Sequence, residues 1–473
     1  MVLYVTAAAG ASFTQQAPDS TKILRAAQNA AYDGATRRRF YEREARRPPS
    51  RRESRQQFLL RYLDFAAERR EPAIRRLDEY ALELPGDDWI TGHRIGLRIR
   101  QGRTAEAAAI AAECRASKWW CDALLGVTHH LQDRILEADQ AFASALSAMP
   151  EDERCAWLDD LSLILTGDLR RAWDEADCTR RIQMQQRLWW LADPLHIREG
   201  NERRTEQLFR AVTMRLHHDE LAIVGGECHD EHHMRHLQAG WGPWWWEAGM
   251  GFSTNDVQNL WDSRGFRFFP TDGAWLGPVA SAEDDWAPSF VDTGERYRPS
   301  FGSLSALPHQ TAFFARGDSL LVLAAAEPAG PVSVAGVALS RNEHEPAIIT
   351  HETNVTGTAR LKLRVPRDAW LVSVEAIGGR GAFRSRFGHR LPDATAGGLA
   401  LSDLLLFEWQ DGLEESLEAV EPRMLGSTTL TGSRDIGVFW ETYGVTDRSA
   451  LNVSLTVRGL DSGLFRRLGE ALG

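Results

Sequence analysis

One stretch of this chain is written twice, and that repetition constrains its fold more than any other feature. Gln101-Gly102-Arg103-Thr104-Ala105-Glu106-Ala107 parallels Gln132-Asp133-Arg134-Ile135-Leu136-Glu137-Ala138 at an offset of 31 residues. Further upstream, Ala73, Leu77, Tyr80 and Pro85 reproduce the spacing of Ala138, Phe142, Ala145 and Pro150 at an offset of 65. Periods of this length mark stacked helix pairs. Each pair alone leaves an apolar face exposed, and its neighbours cover it.

The clearest copy spans residues 119–150, WWCDALLGVTHHLQDRILEADQAFASALSAMP. Leu125-Gly126, Ala138, Phe142, Ala145 and Pro150 stand in register with a tetratricopeptide repeat, and the segment resembles that family. His129 occupies the place where the family usually carries Tyr. The resemblance implies repeats near 55–86, 87–118 and 119–150 and a closing helix pair near 152–180. Together they would make an α-solenoid whose concave face binds peptides or proteins. It carries no catalytic residues. Equally open is an array that only packs against the rest of its own chain.

At 473 residues the chain exceeds one ordinary domain. The reading is a multidomain α-then-β protein. Residues 1–20 form a signal-like segment and 21–180 the helical repeats. Residues 181–300 are a mixed, helix-rich middle, and 301–473 an antiparallel β-sandwich. Val2 to Ala11 is apolar, and Ala9-Gly10-Ala11 fits a signal-peptidase site, although no basic residue precedes the run. Export to the periplasm, cell envelope or medium is therefore expected, with a cytoplasmic location as the alternative. No transmembrane segment is expected. The best stretch, Ser319 to Leu339, is interrupted by Glu327, Pro328 and Pro331.

The five cysteines are Cys114, Cys121, Cys155, Cys178 and Cys228. In an exported chain proximity favours Cys114–Cys121 and Cys155–Cys178, although four cysteines allow three connectivities. Reduced thiols stay open as the alternative. Residues 36–76 hold 14 Arg against six acids while the whole chain carries −11. Such a stretch attracts nucleic acid or anionic lipid. The interspersed Glu42, Glu44, Glu53, Glu68 and Glu71 favour the solvated face of amphipathic helices, and nucleic acid is not expected as a partner.

The middle segment carries Trp189-Trp190, Asp193-Pro194, Asn201-Glu202, Arg210 or Arg215, and later Gly240-Trp241. This order resembles the GWxTD-domain proteins, secreted bacterial proteins often found beside helical repeats, for which no activity carries over. Gly242 and Pro243 follow where the motif would have x-Thr-Asp. Asp193-Pro194 reads as a turn and Asn201 as a helix cap.

The densest potential chemistry lies in His217, His218, Cys228, His229, His232, His233 and His236. His229 with His233, and His232 with His236, would share a helical face and are candidate ligands for Zn²⁺ or Ni²⁺. Asp230 and Glu231 precede the pair His232 and His236, so the general base of an H-E-x-x-H site is missing from its place. No metal and no cofactor is expected. Trp244, Trp245 and Trp246 are a candidate aromatic shelf for sugar rings, with interdomain packing the favoured reading.

From about residue 305 short β-branched and aromatic runs alternate with turn residues. Leu361, Leu363 and Val365 face one side, Lys362 and Arg364 the other. Gly378-Gly379-Arg380-Gly381 reads as a hairpin turn, and Leu464 to Leu472 as a short helix. The function expected from the whole is an exported protein-interaction or scaffold protein without catalysis. It would bind an unknown protein or peptide on its helical repeats and associate with the cell envelope. The alternatives are a metal-dependent hydrolase built on the histidines, or a carbohydrate-binding protein built on the tryptophans.

Overall fold

The protein is described here by a computed structural model covering residues 71, 74–75, 77–223, 265–270, 273–277, 289–291, 297, 299–379, 381–390, 399–410, 412, 416–430 and 435–444. A helical region leads into a region of mainly antiparallel sheets. Among the described residues no helix is long and apolar enough to cross a membrane.

The helices that build the helical region from residue 88 onwards are α1 Asp88–Arg100, α2 Thr104–Ala112, α3 Lys118–Leu131, α4 Ile135–Ala148, α5 Glu151–Asp159, α6 Gly167–Glu175, α7 Cys178–Ala192 and α8 Glu202–Ile223. Side-chain caps start several of them. Asp87 accepts from the Ile90 amide, Asp177 from the Arg180 amide and Asn201 from the Arg204 amide. Helices α1 and α2 pack as one antiparallel pair, α3 and α4 as the next.

Gly126 shows why the repeated residues matter. A Cβ built there would lie 2.7 Å from the Phe142 ring, so only glycine lets α4 press its aromatic side chain onto α3. Ala138 and Ala145, fully buried, flank Phe142 on the same face. Two disulfides brace this region, Cys114–Cys121 across the α2–α3 connection and Cys155–Cys178 between α5 and α7, each with Cα atoms 5.6 Å apart.

Helix α8 packs against α1, α3 and α4. Its Leu208, Val212 and Leu216 share a core with Ile95, Trp120, Ala123, Leu124 and Val127. At Gly92 the approach is so close that a Cβ would meet Leu216 at 2.8 Å. The face offered by the first helix of each pair is thus occupied by a helix of the same chain.

The strands in the sheets are β1 Gly265–Arg267, β2 Ser289–Val291, β3 Leu304–Ala306, β4 His309–Arg316, β5 Ser319–Ala326, β6 Val332–Ser340, β7 Ile348–Val355, β8 Ala359–Pro366, β9 Trp370–Gly378 and β10 Gly381–His389. The short strands β11 Ala400–Leu401, β12 Leu405–Glu408, β13 Ile436–Phe439 and β14 Thr442–Tyr443 follow. One sheet runs β3-β10-β9-β6-β7 and another β4-β5-β8. Their apolar faces share one core, in which Val322 and Leu361 of the smaller sheet join Val337, Val372 and Val374 of the larger. In β8 the expected alternation holds, with Leu361 and Val365 buried and Lys362 and Arg364 exposed. The opposite face of the five-stranded sheet meets the helices. Ala382 and Leu304 join a second core with Leu169, Trp173, Leu188 and Trp189.

Replacing Gly126 with Ala is expected to force the Phe142 ring aside and to lower unfolding stability by about 1–3 kcal/mol. Chemical denaturation of the full chain with its disulfides intact is the measurement, and a loss below a few tenths would show that the ring yields freely.

Candidate functional site

Between α7 and α8 the chain crosses the helix-facing side of the five-stranded sheet as a loop without regular structure. A buried loop leaves backbone groups that neither helix nor sheet satisfies, and each needs a partner. Here the sheet supplies them. Arg386 on β10 donates from Nη1 to the Leu191 and Asp193 carbonyls at 2.9 and 3.0 Å. Arg384, two residues earlier on the same face, donates to the Asp193 and Pro194 carbonyls at 3.2 and 3.0 Å. Glu375, opposite Arg384 on β9, accepts the His196 and Ile197 amides at 3.0 and 2.9 Å. The loop is held on its carbonyls by guanidinium groups and on its amides by a carboxylate.

Glu375 and Arg386 also pair with one another at 3.1 Å, both with fully buried side chains. Ser373 Oγ accepts from Arg386 Nε and donates to Glu375. Burial, the largest single influence, would raise the Glu375 carboxyl, but the Arg386 charge, the field of His196 and the hydrogen bonds from Ser373 and the Ile197 amide together hold the group below the ordinary carboxylate range. For Asp193 the balance reverses. Burial pushes its carboxyl well above the ordinary range against the pull of Arg386. His196 is driven down to about 3, first by burial and then by Arg386, so its ring is neutral at physiological pH. That ring stacks on Trp190 at 6.1 Å and meets the Trp190 carbonyl through Nε2. Asn201 donates to the Trp189 carbonyl at 2.7 Å, which ties the start of α8 to the end of α7.

Further along α8, Arg203 is fully buried with its guanidinium about 5–6 Å from the ring centres of Tyr297, Trp189 and Phe269. The loop forms one wall of a cleft lined among others by Asp193, Pro194, Arg198, Gly200, Glu202 and Phe301. Its free space is about 10 Å³, room for a single water molecule. This cleft admits water or an ion more readily than an organic substrate.

A second constellation has the look of a catalytic relay. His130 meets Thr205 Oγ1 at 3.1 Å through Nδ1 and Glu206 at 3.0 Å through Nε2. Thr205 is fully buried, and its hydroxyl donates to the Glu202 carbonyl at 3.0 Å. Its hydrogen is committed to the helix backbone, so the hydroxyl serves the ring as an acceptor, the opposite polarity to a nucleophile. Burial would raise Glu206, but Arg210 and His130 hold its carboxyl well below the usual range, which makes it a structural anion.

Of the residues marked in the sequence, the structure brings together Trp189, Trp190, Asp193, Pro194, Asn201 and Glu202 in this junction, and Arg210 pairs with Glu206 beside it. It joins Cys114 to Cys121 and Cys155 to Cys178. His229, His232, His233 and His236, with Cys228 and Trp244, Trp245 and Trp246, lie outside the described residues, as do residues 1–20 and the Leu464 to Leu472 segment. Among the described residues no group of three or more His, Cys, Asp or Glu side chains is placed to hold a metal ion. Sequence reasoning missed Glu375, Arg384 and Arg386. The one available signal was Glu375 and the two arginines on facing strands beside a fully apolar strand pattern. Comparison of the chain with protein-family models, with curated proteins and with solved structures finds no match.

Arg386→Met or Glu375→Gln alone is expected to cost about 3–5 kcal/mol, because each strands a buried charge, and the double variant much less than their sum. The pH dependence follows from the depressed Glu375 carboxyl. Its contribution is present above the ordinary carboxylate range and is lost as pH falls through its folded value. Acid should therefore destabilise the wild type more steeply than the double variant, as read by urea unfolding across pH.

Proposed function

We propose that this chain is an exported scaffold that binds another protein and performs no catalysis on it. In this reading the pairs α1–α2 and α3–α4 are hairpins of tetratricopeptide type. The loop and α8 correspond to the GWxTD-like segment, and the two facing sheets form a β-sandwich. Two disulfides support export, since such bonds persist in oxidising compartments such as the periplasm and cell envelope.

The packing of α8 bears on where a partner sits. With α8 covering α1 and α3, the helical array uses that face to hold its own chain, and we look for the partner surface elsewhere. The observation that carries the proposal is strand β7. Among the described residues it ends the five-stranded sheet, pairs only with β6, and runs for eight residues. Ile348 and Ile349 are 38% and 41% exposed on it. Sheets normally guard such an edge with short strands, lysines, prolines or a covering element, and Ile348-Ile349-Thr350-His351-Glu352-Thr353-Asn354-Val355 has no lysine or proline. An open edge of this kind suits an extended segment of a partner protein, added as a further strand through main-chain hydrogen bonds.

A photo-crosslinking residue at Ile349 is expected to yield one discrete adduct in the source cell's envelope fraction, while one at exposed Leu131 yields none. Ile348→Lys with Ile349→Lys should reduce the adduct at a probe placed at Thr353 by about tenfold or more without shifting the melting temperature. Equal adducts at both probe positions, or a lysine pair without effect, would defeat the proposal.

A further inference from the structure

The contacts that satisfy the buried loop also concentrate charge on the peptide bond between Asp193 and Pro194. Its carbonyl oxygen accepts two hydrogen bonds from two different guanidinium groups, Arg386 at 3.0 Å and Arg384 at 3.2 Å. Both arginines are fully buried. The next carbonyl, Pro194, is held by Arg384, and the amides of His196 and Ile197 by Glu375, so the chain after the bond cannot drift from it. Two positive donors aimed at one carbonyl oxygen are the arrangement that stabilises a tetrahedral oxyanion. The nucleophile is in the same residue. The Asp193 carboxyl accepts from the Leu195 amide at 3.2 Å, and burial favours its protonated form; Asp193 is also one of the residues lining the cleft. The leaving group is a proline nitrogen, a tertiary amide that takes up a proton and departs more readily than an ordinary peptide nitrogen.

We propose that Asp193–Pro194 is a self-cleavage site, with Arg384 and Arg386 as its oxyanion hole and the Asp193 carboxyl as its nucleophile. A carboxyl oxygen adds to the Asp193 carbonyl carbon, and negative charge develops on the carbonyl oxygen between the two arginines. The carboxyl proton passes to the Pro194 nitrogen, and the carbon–nitrogen bond breaks. Asp193 is left as a five-membered cyclic anhydride and Pro194 as a free secondary amine. Water from the cleft opens the anhydride, adding hydroxyl to one carbonyl carbon and a proton to the released carboxylate. The sum is hydrolysis of one peptide bond with no change of oxidation state. Both disulfides lie before the break, so neither would join the two pieces.

The test is to hold the purified full chain, disulfides intact, in mildly acidic and in neutral buffer and to follow intact mass and new N-termini. A fragment beginning at Pro194 is expected, forming about tenfold or more faster from the folded chain than from the same chain in urea at the same pH. Asp193→Asn keeps an acceptor for the Leu195 amide and should abolish the product. Arg384→Met should slow it about a hundredfold, the usual loss for one oxyanion donor. Circular dichroism and protected cysteines verify that each variant is folded. Absence of a Pro194 terminus, cleavage no faster than in urea, or undiminished cleavage in folded Asp193→Asn would each overturn the proposal.

Discussion

The ion pair between Arg386 and Glu375 is the constraint from which the rest of the architecture follows. Taking both charges out of water costs several kcal/mol each, and their mutual attraction alone does not offset that. It is offset here because each group has further partners. Arg386 serves two carbonyls at the end of α7 and the Ser373 hydroxyl, and Glu375 takes two amides of the loop and the same hydroxyl. A loop that would otherwise have to run over the surface is thereby buried, and the helical region and the sheet become one structure across it.

The direction of α8 is a consequence. Asn201 caps α8 and also binds the Trp189 carbonyl, so one side chain ties the start of α8 to the end of α7. From that start α8 runs back along α1 and α3, filling their shared face with Leu208, Val212 and Leu216. Ion pairs of Arg204 with Asp139 and Arg215 with Glu153 border it. Arg215 also lies over the Trp119 and Trp120 rings. The helical pairs therefore present this shared face to their own chain.

Much of the local structure was legible in the residues. The spacing of Gly126, Ala138, Phe142 and Ala145 announced a close helix pair, because a missing side chain opposite a large one is a packing instruction written in sequence. Leu361, Val365 and their charged neighbours announced a half-buried strand by period two. Arg384 and Arg386 were not legible. An arginine at every second position of a strand has the same pattern whether it faces solvent or a buried loop nearly two hundred residues earlier in the chain. Asp193-Pro194 was legible as a turn, since proline and a short acceptor side chain dictate one locally. Nothing in its neighbourhood disclosed what would bind its carbonyl oxygen.

By itself the sequence determined the order of helices and strands, the small residues that let helices approach, and the apolar faces that needed covering. These are properties of residues a few positions apart, governed by periodicity, capping and side-chain volume. Tertiary structure alone decided that α8 covers the helical face, that β7 ends a sheet with its isoleucines exposed, and that two arginines and a glutamate converge on the Asp193 loop. Those outcomes depend on which distant surfaces meet. A buried charge becomes tolerable only when every one of its partners arrives together, a condition that no local pattern encodes.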